Sequence, residues 1–170
     1  YNLSDKPSSI RDYTLDKCAA DVAALIAAAG RQRAIVIGHD WGGAVAWWLA
    51  ANNPKLVERL VILNVPHPRV LVRLLRTSPR QLLRSWYMFF IQLPWMPEWS
   101  VRRNNWQGLV DGLKASSRPG TFRDEDFARY RDAWSQPGAM TAMLNWYRAM
   151  FRYGAPVPRN GRILAPTLIL

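Results

Sequence analysis

Cysteine is almost missing: Cys18 stands alone among 170 residues, which excludes an intrachain disulfide and points to a reducing compartment. Histidine is nearly as scarce, with His39 and His67 only. No apolar run approaches the roughly 20 residues that a membrane-spanning helix needs. YNLSDKPSSIRDY, the first stretch, has no apolar signal-peptide region, and the expected compartment is cytoplasmic. The patterns G-x-G-x-x-G and G-x-x-x-x-G-K-[ST] are both absent, which removes the usual glycine-rich phosphate cradles. Acidic residues are few, 12 against 23 Lys and Arg, for a net charge of +11. Residues 66–163 hold 16 Lys/Arg against 6 Asp/Glu, so nearly all of the excess lies there. Arg69, Arg73, Arg76, Arg80 and Arg84 recur at helical spacing, with Pro79 splitting their stripe between two helices. Such a stripe suits an anionic membrane or a nucleic acid. No nucleic-acid motif accompanies it, so the expectation is a solvated face and no nucleic-acid partner.

What is abundant is apolar and aromatic: 49% hydrophobic residues and nine Trp, enough for a thick core or an apolar pocket. One stretch organises the rest. Ile35-Val36-Ile37 reads as a buried strand and Ala44 to Ala50 as a helix. Between them Gly38, Asp40 and Gly42 spell G-x-D-x-G, the strand-to-helix nucleophile elbow with aspartate in the place of serine. The turn strains its central residue and brings neighbouring chain close, so glycine is expected on both sides. A carboxylate with a pKa of about 4 is ionised at neutral pH and needs no base to attack an electrophilic carbon. The product is an alkyl ester that water must then cleave. His39 flanks Asp40, but alternation along a strand aims it elsewhere, and it is expected to be packed and hydrogen-bonded.

In chain order, Thr14 is the expected N-cap of a helix that carries Leu15, Cys18, Val22, Leu25, Ile26 and Ala29 at helical spacing and closes at Gly30. A strand near 33–38, the elbow, a helix stopped by Pro54, and a buried strand over Glu58–Asn64 make a parallel βαβ unit. From Pro66 to about Pro158 no strand-like run occurs. Helices are expected near 68–77, 79–92, 99–115, 122–135 and 138–152, followed by a return loop over 155–161 and another buried strand over 163–170. The domains are therefore expected as 1–65, part of an α/β core; 66–160, a helical cap; and 161–170, the returning core strand.

YNLSDKP, GHDWGGAVAWWLA, LVILNVPHP, RSWYMFFIQLP and MLNWYRAM together resemble the epoxide hydrolases of the α/β-hydrolase fold over essentially the whole chain. The resemblance implies a partial parallel sheet with flanking helices and a helical cap. It also implies that Asp40 opens a small apolar epoxide to a vicinal diol, with water as co-substrate and neither metal nor cofactor. In this family two cap tyrosines hold and protonate the epoxide oxygen, and they match Tyr87 and Tyr147. A phenol suits that work, since it is still protonated at neutral pH and far more acidic than the alcohol being made. Helical spacing puts Tyr147 with Met140, Met143, Leu144 and Met150, and Tyr87 with Leu83, Phe90 and Ile91. Spacing alone favours two core tyrosines with satisfied hydroxyls, and the motif match reverses that reading.

The backbone N–H of Trp41 is expected in the oxyanion hole, and Trp41, Trp86, Phe90 and Met143 are candidate pocket residues. Arg148 reads either as a support for Tyr147 or as a surface charge, and His67 as a loop residue. The family also carries an H-G-x-P loop before the elbow, and an acid and a histidine after later strands. These 170 residues contain none of the three, so the chain is expected to be an internal piece that can be alkylated but cannot turn over. GHDWGG is shared with haloalkane dehalogenases, and a dehalogenase acting through Asp40 is the nearest alternative. A non-catalytic binding domain of the same fold is the other.

Overall fold

A computed structural model of the chain describes residues 1–154 and 162–170, so the expected return loop over 155–161 lies outside the described residues. Two compact units divide the chain. One comprises Arg11–Ser85 with Ala149–Leu170, the other Tyr1–Ile10 with Trp86–Arg148.

The first unit holds the sheet. A 3-10 turn (Ile10–Tyr13) leads to α1 (Leu15–Ala28), β1 (Ala34–His39), α2 (Trp41–Asn52) and β2 (Val57–Leu63), and β3 (Thr167–Ile169) comes last. The strand order is β1-β2-β3, parallel throughout, with Val36 opposite Leu60 and Leu60 opposite Thr167. Parallel neighbours need a crossover, and α2 supplies the one between β1 and β2. α2 packs on both strands while α1 packs on α2. A helix covered on two sides is apolar nearly all round, and Val45, Ala46, Trp47, Leu49 and Ala50 are all buried. Leu60 and Ile62 of the middle strand are buried with them.

Several expectations about burial change here. β1 is not buried throughout: Ile35 and Ile37 are 57% and 65% exposed. An apolar run shows that a strand wants cover on both faces, but α2 covers only one, and alternation puts Ile35, Ile37 and His39 on the other. His39 is exposed for this reason and is not packed. β3, expected to be buried, is exposed along its length at the edge of the sheet. Leu25 of α1 is likewise exposed. Thr14 does sit at the N-cap of α1, but its hydroxyl donates to the Arg11 carbonyl (2.8 Å) and caps nothing.

Beyond β2, only helices appear among the described residues until β3: α3 (Pro68–Thr77), α4 (Pro79–Arg84), α5 (Trp86–Phe90), α6 (Met96–Ala115), α7 (Asp124–Ser135) and α8 (Ala139–Tyr153). Pro79 divides the arginine stripe as expected, with Ser78 ending α3 and its Oγ accepting from the Gln81 N–H at 3.3 Å to start α4. The single helix expected over 79–92 is two. Buried Ser85 ends α4, its N–H donating back to the Gln81 carbonyl at 3.0 Å, and α5 begins after it. Leu83 therefore shares no helix with Tyr87, and it is 74% exposed.

In the second unit α6 breaks where Asn104, Asn105 and Trp106 take left-handed φ values of 50°, 53° and 65°. Trp106 is buried there and donates its indole N–H to Ser135 Oγ at 2.9 Å. It joins Ile91, Met140 and Leu144 in the core of this unit, with Met143, Trp134 and Tyr147 packed against them. Asp124, Glu125 and Asp126 fill the first turn of α7, where the helix dipole favours negative charge. No described helix is long and apolar enough to cross a membrane.

Candidate active site

Asp40 is the N-cap of α2, with φ 50° and ψ −125°. A non-glycine residue in that region carries about 1–3 kcal/mol of strain, which the surrounding chain must impose. The crowding is visible at two glycines. A Cβ on Gly38 would stand 2.5 Å from the Gly42 carbonyl oxygen and 2.7 Å from the Gly43 Cα. A Cβ on Gly43 would run into the Val65 side chain. At Gly42 it would meet nothing within 4 Å among the described residues, and the φ of Gly42 is not positive. The close approach thus needs Gly38 and Gly43, and the steric reason expected for Gly42 does not apply. Gly43 escaped the pattern G-x-D-x-G; the doubled glycine was its only signal.

The Asp40 carboxylate is exposed, and its Oδ1 accepts the Trp41 backbone N–H at 2.6 Å. One oxygen is held by the first turn of α2, at the positive end of the helix dipole. The Trp41 indole is half-buried. His67, expected in a loop, is the N-cap of α3. Its Nδ1 accepts the Arg69 N–H at 3.2 Å, so its proton sits on Nε2, and the Trp47 ring lies edge-on at 5.0 Å. Burial, reinforced by Arg69, holds the imidazole below its ordinary pKa and therefore neutral at pH 7.

The helical unit brings the two tyrosines together. Tyr87 on α5 and Tyr147 on α8 meet edge to face, ring centroids 5.8 Å apart and planes at 79°. Tyr147 is half-buried against Ile91, Trp106, Met140 and Leu144, whereas Tyr87 is 38% exposed. Among the pocket candidates, Trp86 and Phe90 have ring centroids 6.0 Å apart, Trp86 is largely exposed, and Met143 packs on the core around Tyr147. Asp40 belongs to the sheet unit and both tyrosines to the helical one.

Arg148 is no surface charge: only 7% of it is exposed. Its guanidinium grips Glu98 with both forks, at 2.6 and 3.0 Å. Burial pushes the Glu98 carboxyl up, but hydrogen bonds from Arg148 and its own backbone, the Arg148 charge and the Thr141 hydroxyl together leave it below its ordinary value.

Residues 1–169 match the family model of the alpha/beta hydrolase fold. The chain belongs to that family. It is 49% identical over 150 residues to AB hydrolase superfamily protein YfhM of Bacillus subtilis, covering 88% of this chain and 52% of that protein. It is 36% identical over 174 residues to Epoxide hydrolase 2 of Caenorhabditis elegans, covering all of this chain and 49% of that one. The chain therefore spans about half the length of these curated relatives. Among solved structures, an epoxide hydrolase from Bacillus megaterium in complex with an inhibitor superposes with a TM-score of 0.85 at 28% identity, over 99% of this chain and 62% of that one.

Proposed function

We propose that this chain carries the nucleophile and the proton donors of an epoxide hydrolase. The observation that carries the reading is the tyrosine pair: two phenols from different helices, rings 5.8 Å apart in an apolar setting. A dehalogenase has to hold a halide and has no need of two phenols. The similarity to Epoxide hydrolase 2 and to the Bacillus megaterium epoxide hydrolase supports the same substrate class.

In the proposed reaction Asp40 Oδ2 attacks an epoxide carbon, the carbon–oxygen bond of the ring breaks, and the electron pair moves to oxygen. Tyr87 and Tyr147 stabilise that oxygen and one of them protonates it as it leaves. The phenol recovers its proton from solvent. Oδ1, already bonded to the Trp41 N–H, becomes the carbonyl oxygen of the ester. When water adds to the ester carbon, the negative charge develops on that same Oδ1, so one backbone donor serves first the carboxylate and then the oxyanion. Collapse of the adduct breaks the acyl carbon–oxygen bond and releases the diol. In this scheme the sheet unit acts as the α/β core and the helical unit as the cap. Trp41, Trp86, Phe90 and Met143 supply apolar surface for the substrate. The base for the hydrolytic water is the acid–histidine pair that the family resemblance implies, so residues 1–170 on their own stop at the ester.

The test uses the full-length gene product with styrene oxide and, separately, a bromoalkane. Diol formation, loss of the covalent adduct in Asp40→Asn, and slowing of about 100-fold or more in Tyr147→Phe are expected. Bromide release that survives Tyr147→Phe, with no diol from the epoxide, would establish a dehalogenase instead.

A further inference from the structure

Arg148 takes no part in the reaction just described, yet it is the most heavily bonded buried charge among the described residues. Besides both Glu98 oxygens, its Nε donates to the Ile91 carbonyl at 3.1 Å, one terminal nitrogen to the Leu93 carbonyl at 3.2 Å, and the other to Asn145 Oδ1 at 3.5 Å. Ile91 and Leu93 belong to the segment that leaves α5, the short helix of Tyr87. The Ile91 N–H in turn donates to the Tyr87 carbonyl at 2.9 Å. Between them Gln92 Nε2 donates to the Met88 carbonyl at 3.0 Å and the Tyr147 carbonyl at 3.4 Å. Three consecutive residues after the Tyr87 helix are thus tied to α8 at Tyr147 and Arg148.

We propose that Arg148, locked by Glu98, is a positioning residue that sets the Tyr147 phenol against the Tyr87 phenol; this rests on the epoxide-hydrolase reading above. Five residues of α5 close barely one helical turn, too little to hold a conformation alone, so the placement of Tyr87 depends on its anchors. α8 is long and holds Tyr147 one residue from the guanidinium. The planar fork of arginine meets the carboxylate bidentately while its remaining N–H groups reach two carbonyls, a pattern that a lysine ammonium does not reproduce. Glu98 fixes the fork, and the fork fixes the distance between α8 and the Tyr87 segment.

The test is a double-mutant cycle in the full-length gene product, reading the rate of covalent adduct formation on Asp40 with styrene oxide by quenched flow and mass spectrometry. Arg148→Lys is expected to slow adduct formation at least tenfold when Tyr147 is present, and no more than threefold in the Tyr147→Phe background. Melting temperatures of all four proteins place the assay well below unfolding. Glu98→Gln, which keeps the shape and loses the charge, should show the same dependence on Tyr147 and replaces Arg148→Lys if that variant does not fold. Equal slowing in both backgrounds, or no slowing, would overturn the positioning role while leaving the function intact. A wild-type protein that forms no adduct would overturn the proposed function itself, and the positioning role with it.

Discussion

Gly38→Ala and Gly42→Ala should move stability in opposite directions, although the two glycines are equivalent in the pattern G-x-D-x-G. A Cβ on Gly38 would lie 2.5 Å from the Gly42 carbonyl oxygen. Carbon–oxygen contacts ordinarily begin near 3.3 Å, so the shortfall is about 0.8 Å. The obstacle is backbone in the first turn of α2, which gives way only by moving Asp40 with it. Overpacking of this kind costs about 1–3 kcal/mol, and displacing a reacting group by about 1 Å costs roughly 100-fold in rate. At Gly42 a Cβ meets nothing within 4 Å among the described residues, inside a helix. Alanine there gains up to about 1 kcal/mol from helix propensity and a less flexible unfolded chain. The two variants should therefore differ by about 2–4 kcal/mol, read as urea midpoints at equal m-values in the full-length gene product. Similar losses in both would refute the steric account of the elbow, as would a loss at Gly42 alone.

Three other outcomes follow from single sites. Asp40→Gly removes the nucleophile but relieves the φ 50° strain, and should raise stability by roughly 1 kcal/mol while abolishing adduct formation; lower stability in a denaturant titration would contradict the strain. Glu98, held below its ordinary 4.5 when folded, contributes stability that is full above that value and lost as pH falls through the folded one. The melting-temperature difference between wild type and Glu98→Gln should accordingly be flat above about pH 5 and shrink below 4.5, and a difference unchanged down to pH 3 would exclude the linkage. The Cys18 thiol is pushed up to about 11, by burial first and then by Asp21 and Asp16. Its alkylation by iodoacetamide should be slow at pH 8 and still rising above pH 10, whereas a half-maximal rate near pH 9 would mean an unshifted thiol.

Much of the fold was legible because its signals are local. Proline at positions 54 and 79, the short apolar runs of the two strands within 34–63 and helical periodicity in the remaining segments place most element ends to within a residue or two. Burial was less legible, because an apolar strand shows what it wants covered and not what covers it; β1 and β3 both expose residues that composition would bury. The break at Ser85 escaped detection since serine there substitutes hydrogen bonds to Gln81 for any proline or glycine signal. At the site, Asp40 and its turn stand out in a contiguous pattern, and the tyrosines through family motifs only. The partnership of Arg148 with Glu98 was invisible for a plain reason: 50 residues separate them, and no local pattern pairs one with the other.

The claim at the centre is that the ester forms on Asp40 and water cleaves it at the carbonyl carbon. It is tested most directly by one turnover of styrene oxide in H2(18O), with the full-length gene product in excess, followed by mass spectrometry of the diol and of the peptide bearing Asp40. The account predicts an unlabelled diol, because its new oxygen comes from the carboxylate, and a gain of one heavy oxygen in the Asp40 side chain. A labelled diol with an unlabelled Asp40 would mean that water attacks the epoxide directly, and the covalent mechanism would be wrong.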